Sequence, residues 1–286
     1  YKQFDTGQTV VASTTQATSA DDYLAQAASI LWTLNQGSSP LGNEQKTREI
    51  VQLSNSALAQ NPKSDLAYAY LARAKVGLGK YQEAVKDANQ SIRHNPRNKN
   101  AYFASANAKR FLGNYKEAID DYNKAIAIDP QFGIAYNNRG LAKVNDGKPT
   151  AAILDYDMAL KLNPNSALTY YNRGKAKDEL KDYFGAIDDY SKAIAINPQF
   201  ASSYFNRGNA KSKGLGEHKG AILDYNKAIY IDPNHSNAFR NRGMAKFYLK
   251  DSHGACRDFK ISISLGNQGT AQWLNSDKGA WCRNMR

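Results

Sequence analysis

A proline preceded by Asn or Asp returns along this chain at a nearly constant interval. Pro62, Pro96, Pro130, Pro164, Pro198 and Pro233 are separated by 34, 34, 34, 34 and 35 residues. A period of this size means that one supersecondary unit has been copied. No copy buries its apolar face alone, so the copies must stack. With each proline set as position 32, the units start at Asp65, Lys99, Gly133, Ala167, Ala201 and Ser236.

In that frame position 4 is Tyr68, Tyr102, Tyr136, Tyr170, Tyr204 and Phe239. Position 8 is Ala72, Ala106, Gly140, Gly174, Gly208 and Gly243, and positions 10 and 20 are Ala in every unit. The Leu-Gly of "GLGKY" and "FLGNY" marks a turn: Gly ends one helix, and the aromatic after it begins packing for the next. The proline stops the second helix.

These residues resemble the tetratricopeptide repeat (TPR) family. Aromatic-4, Gly/Ala-8, Ala-20, Tyr/Phe-24, Ala-27 and Pro-32 recur in most units, and "NYKEAIDDYNKAIAIDP" (Asn114 to Pro130) is close to the family consensus. The resemblance covers about 200 residues. It implies an all-α, right-handed α-solenoid of stacked antiparallel helix pairs, the TPR superhelix.

The expected organisation has four parts. Residues 1–20, rich in Thr, Ser and Gln, read as a flexible tail. Residues 21–62 read as a degenerate helix pair shielding the first repeat. Residues 65–267 hold six units (65–98, 99–132, 133–166, 167–200, 201–235 and 236–267). Residues 268–286 read as a C-terminal cap helix, with Trp273 where an aromatic-4 falls. In the third unit Pro149 and Asp146 replace the usual residues of the inter-helix turn, so that turn should differ. The fifth unit carries one extra residue near "KSKGLG".

Four units write "YNNRG", "YYNRG", "YFNRG" and "FRNRG". At 100° per residue, positions 2, 6, 9 and 13 of the first helix lie within about 60° of one another, opposite the packed positions 4 and 8. Position 6, Asn138, Asn172, Asn206 and Asn241, is thus expected to point away from the packing. In the family that face lines the concave groove, where extended peptides lie. An amide carries a donor and an acceptor and can hold a peptide backbone; the alternative is a solvated amide. The rest of the expected groove is Phe103, Asn137, Tyr171, Phe205 and Arg240 at position 5, Asn107, Leu141, Lys175, Asn209 and Met244 at position 9, Arg110 at position 12, and Phe111, Asn145 and Glu179 at position 13. Position-5 aromatics have a second reading, packing between neighbouring first helices. The basic residues of the carboxylate clamp known in chaperone-binding TPR domains are incomplete, because Phe205 and Asn209 interrupt them.

Position 7 is Arg139, Arg173, Arg207 and Arg242, while position 11 is Lys and position 23 is Asp in all six units. That pattern reads as a repeated charge network joining the two helices of a unit; the alternative is a basic ladder for phosphates.

Little else suggests chemistry. His94, His218, His235 and His253 form no metal-ligand pair, so neither metal nor cofactor is expected. "GLGEHKGA" lies in an inter-helix turn, with no strand before it to make a phosphate loop. Cys256 and Cys282 are 26 residues apart with no CxxC, and a disulfide pinning the cap competes with two separate thiols. No catalytic residue is apparent.

The expected partner is therefore a protein or peptide with acidic and some apolar side chains. The net charge of +12 leaves a second class, a nucleic-acid binder, although the basic residues are spread along the chain rather than run together. No stretch approaches 18 consecutive apolar residues. The chain opens on Tyr1, as after removal of a signal peptide or after trimming. The phrases resemble bacterial TPR proteins, including cyanobacterial ones, many of them exported or membrane-associated. Oligomeric state is not legible.

Overall fold

The computed structural model describes residues 19–35 and 40–283. All but the last two residues of the 1–20 tail lie outside the described residues. The described chain is helical without strands and divides into two compact units, Tyr1–Leu112 and Gly113–Arg286.

The first unit holds α1 (Ala20–Asn35), α2 (Pro40–Gln60), α3 (Asp65–Gly77), α4 (Tyr81–His94) and α5 (Lys99–Phe111). Ser64 starts α3 by accepting a hydrogen bond from the Ala67 N–H, and Asn98 caps α5 in the same way. Leu24 of α1 and Ala57 of α2 pack on Ala67 of α3, and Ala27, Leu31 and Ile50 pack around Ala74. The helix pair before the first repeat thereby covers apolar surface that α3 would otherwise expose. Ala72, Ala88 and Ala104 meet without solvent exposure.

The second unit holds α6 (Tyr115–Ile128), α7 (Gly133–Asn145), α8 (Pro149–Leu162), α9 (Ala167–Glu179), α10 (Tyr183–Ile196), α11 (Ala201–Asn209), α12 (His218–Ile231), α13 (Ser236–Tyr248), α14 (Ser252–Ser264), α15 (Gln268–Asn275) and α16 (Ala280–Arg283). Its helices pack pairwise around one recurring fit. The rings of Tyr156, Tyr190, Tyr225 and Phe259 at position 24 are buried against the glycines at position 8. A Cβ on Gly174 would lie 2.8 Å from the Tyr190 ring, and one on Gly243 would lie 2.8 Å from Phe259. In the first repeat, where position 24 is Ala88, position 8 carries a methyl group, Ala72.

The expectation of a different third turn is not met. Lys148 N–H donates to Lys143 C=O at 2.8 Å, the bond made by Lys80 to Lys75, Asp182 to Lys177 and Asp251 to Lys246 in other turns. Pro149 is harmless because it takes the first position of α8, where a backbone N–H has no helical partner. Gly147 supplies the left-handed residue at φ 74°. Lys181 and Lys250 hold the same region at 63° and 67° despite their side chains.

The extra residue of the fifth unit widens the helix instead of lengthening the turn. Ala210–Gly214 is a π-helical segment continuing α11, and Glu217 N–H reaches back to Lys211 C=O at 2.9 Å. Gly214 lies flush on Tyr183, where a Cβ would come within 2.3 Å of the ring.

The cap is two short helices joined by a 3-10 turn, Asp277–Gly279, instead of one helix. Ser276 leaves helical geometry at ψ 167°, and Gly279 folds back onto Leu274. Cys256 of α14 and Cys282 of α16 form a disulfide across this fold, with Cα atoms 5.3 Å apart. Trp273 and Trp281 pack around them.

Candidate first-helix interaction face

The four arginines of the repeated phrase are structural. Arg139, Arg173 and Arg242 each grip the position-23 aspartate of their own unit through Nε and Nη2, at 2.6–2.9 Å. Arg207 binds Asp224 in the same way, at 2.6–3.2 Å. The position-11 lysines Lys143, Lys177, Lys211 and Lys246 add an ion pair at 2.8 Å to each of these carboxylates. The remaining arginine nitrogen, Nη1, reaches the preceding unit's second helix at Asn123, Asp157, Ser191 and Asn226. One guanidinium thus joins three helices. The fork matches a carboxylate bidentately, and the aspartates are buried, so each cation is held rather than displayed.

The asparagines are placed differently from the expectation. Asn172 and Asn241 are buried, and Asn138 and Asn206 are half-buried. The amides of Asn172, Asn206 and Asn241 point along the stack, at the preceding first helix. Asn172 Nδ2 donates to Asn137 Oδ1 at 3.2 Å, Asn206 Nδ2 to the Tyr171 hydroxyl at 3.1 Å, and Asn241 Nδ2 to Asn209 Oδ1 at 2.7 Å. Asn138 accepts from the neighbouring Asn137 Nδ2 at 3.0 Å. The projection of a single helix omits the neighbour that packs beside it, and that neighbour takes the amide N–H. These residues form a ladder, but one internal to the protein.

The other expected residues divide by exposure. Phe103, Asn107 and Arg110 lie on α5 in the first unit. Phe103 is buried, which removes it from the candidate face, and Arg110 lies 4.3 Å over the Phe111 ring. In the second unit Tyr171 packs against Tyr190 and Phe200, and Phe205 against Tyr225 and His235. Both rings therefore pack within their own unit and keep one edge in solvent. Burial raises the Tyr171 hydroxyl pKa, and its bonds to Asn206 and Ser202 offset part of that rise. Asn209 is half-buried between Asn241 and Tyr225. Lys175 and Arg240 are exposed, Lys175 lying 5.8 Å from the Tyr171 ring.

The second unit therefore carries a row along α7, α9, α11 and α13 of amides, half-buried aromatic edges and two free-standing cations. Asn137, expected in the groove at position 5, instead accepts from Asn172, 35 residues away, and sequence reading missed Ser212 and Tyr225, whose place depends on the widened helix. The one available signal for the latter was the 35-residue spacing. Among the described residues, no group of His, Cys, Asp and Glu is placed to hold a metal ion, and no helix is long and apolar enough to cross a membrane.

A family model described as "TPR repeat" matches residues 106–147 and 179–213, and one described as "Tetratricopeptide repeat" matches 134–166 and 201–235. No curated protein matches the sequence. The structure is similar to that of MamA, at 28% identity over 58% of this chain and 96% of that one, with a TM-score of 0.54. It is similar in fold to YrrB, described as a TPR protein with an unusual peptide-binding site, at 20% identity over 69% and 97% of the two chains, with a TM-score of 0.54. It is also similar in fold to PilW, a type IV pilus biogenesis factor, at 16% identity over 77% and 98%, with a TM-score of 0.64. The repeat phrases, the helix pairs and these likenesses agree: the chain carries tetratricopeptide repeats, folded as the helical solenoid of TPR proteins.

Proposed function

We propose that this chain is a non-catalytic scaffold that holds an extended protein segment along the first-helix row of its second unit. The observation that carries the reading is the row itself. Its amides are held in place by their neighbours, so the aromatic edges of Tyr171 and Phe205 and the cations Lys175 and Arg240 stand on a rigid base. Rigid aromatic edges with cations beside them suit a segment with apolar and acidic side chains. The asparagines act here by positioning the row.

Nothing favours nucleic acid over protein. Eight of the cations behind the +12 charge, Arg139, Arg173, Arg207, Arg242 and the four lysines paired with them, are bound to carboxylates rather than arrayed for phosphates. The Cys256–Cys282 bond is most durable in an oxidising compartment, which fits an exported protein.

The test is selection from a displayed random-peptide library, comparing the wild type with Lys175→Glu/Arg240→Glu. Both side chains are exposed, so the variant should fold, which far-UV circular dichroism checks. Enrichment of acidic-apolar peptides by the wild type and its loss in the variant is expected. Enrichment by neither protein, or equally by both, defeats the proposal.

A further inference from the structure

We infer that the widened helix of the fifth repeat builds an oxyanion pocket that takes one acidic side chain of the bound segment. This deepens the proposed function and rests on it for the source of the anion. A cavity of about 330 Å³ opens where Ala210–Gly214 faces α13. Its lining includes Ser212, Lys213, His218, Arg240, Met244 and Tyr248, and no acidic residue belongs to the lining. That volume lies at the small end of ligand sites, the size of one side chain rather than a cofactor.

The wall is built rather than incidental. Asn209 Oδ1 accepts from both the Tyr225 hydroxyl, at 2.9 Å, and Asn241 Nδ2, at 2.7 Å. The Tyr225 proton is thus committed to Asn209, and burial raises the Tyr225 pKa while the Ser212 hydroxyl beside it offsets part of that rise. Ser212 Oγ and His218 Nδ1 are hydrogen-bonded to each other at 3.0 Å. His218 is held flat against Tyr248, with ring centroids 4.6 Å apart. The chain His218–Ser212–Tyr225–Asn209–Asn241 runs through four helical segments and depends on the extra residue that sets Ser212 in place.

Charge selects the guest. Arg240 makes no ion pair among the described residues and stands exposed at the rim. Lys213 lines the same cavity from the π-helical segment and is exposed, near enough to the half-buried Asp178 to lower a carboxyl pKa that burial raises. Two exposed cations in one lining, with the Ser212, Asn241 and Tyr225 polar groups and the Met244 side chain beside them, suit a carboxylate or a phosphoryl group on a short apolar stem.

Two kinds of probe test this: glutarate and inorganic phosphate as free anions, and fluorescein-labelled nonapeptide pools whose central residue is fixed as Glu or Gln. The His218 ring and Met244 methyl resonances should shift with the free anions in the wild type and not in Lys213→Gln/Arg240→Gln. The Glu pool should bind about fivefold to tenfold more tightly than the Gln pool, and the double variant should erase the difference. Shifts with free anions but no binding of either pool would support the pocket and overturn the segment-binding reading. Equal binding of both pools with no anion-induced shift, or equal shifts in the variant, overturns the pocket and leaves the scaffold reading standing. Both substituted side chains are exposed, so loss of fold does not confound the result.

Discussion

Asp189 has no solvent exposure and accepts two hydrogen bonds from Arg173, Nε to Oδ2 at 2.9 Å and Nη2 to Oδ1 at 2.6 Å. Lys177 completes the site at 2.8 Å, and Asp157 of the preceding second helix takes the free end of the guanidinium at 2.5 Å. These contacts hold the Arg173 pKa above its ordinary value, against the burial that would lower it. Asp189→Ala leaves two cations without their carboxylate, and a loss of about 3–5 kcal/mol is expected in urea unfolding. Lys192→Ala, which removes an exposed ion pair with Asp188, should cost about 0.5 kcal/mol or less in the same assay.

Gly174 and Tyr190 form a size-matched pair. A methyl at 174 would meet the ring at 2.8 Å, with Tyr190 fully buried and unable to swing into solvent. Gly174→Ala should therefore destabilise by about 1–3 kcal/mol. In a double-mutant cycle with Tyr190→Ala the two effects should be less than additive, because the smaller side chain makes the room.

Asn172→Ala distinguishes a building amide from a binding amide. Removing it leaves the buried Asn137 Oδ1 without the donor it has at 3.2 Å. A stability loss of about 1–2 kcal/mol in the absence of any partner is expected. An unchanged thermal midpoint would return Asn172 to the list of free groove amides.

The disulfide closes a loop between α14 and the cap. With its ends 26 positions apart in sequence, reduction or Cys282→Ser should cost about 2–4 kcal/mol. Hydrogen exchange should rise first at residues 268–283, the segment packed around Trp273 and Trp281. Uniform exchange changes across the second unit would show that the bond supports more than the cap.

Asp178 links stability to pH. Burial raises its carboxyl pKa, partly offset by Lys213. A carboxyl with a higher pKa in the folded state than in the unfolded one holds its proton more tightly when native. Its contribution is present below the unfolded value and lost as pH rises through the folded value. Asp178→Asn should thus raise the thermal midpoint at pH 7 by about 1–3 °C, with the advantage gone by pH 3.

Much of this protein is legible in one dimension because a repeat states its own geometry several times. The proline interval set the units, position 8 was readable as a small packed residue, and the Arg-Lys-Asp triplet was readable as a network because its spacing stays nearly constant. Pro149 misled because a proline looks disruptive wherever it falls, whereas at the first helical position it removes a donor that no acceptor awaits.

What the chain determined alone was the repeated charge network within one unit, whose partners lie 16 or 17 residues apart and are oriented by helical periodicity. Relations between units needed the tertiary structure. Asn172 meets Asn137, Asn206 meets Tyr171, and Asn241 meets Asn209 only because successive first helices lie side by side. The same holds for the extra residue of the fifth unit. Sequence counts it, but only three-dimensional packing chose to widen α11 over Tyr183 and so bring Ser212, His218 and Tyr225 into one chain of hydrogen bonds.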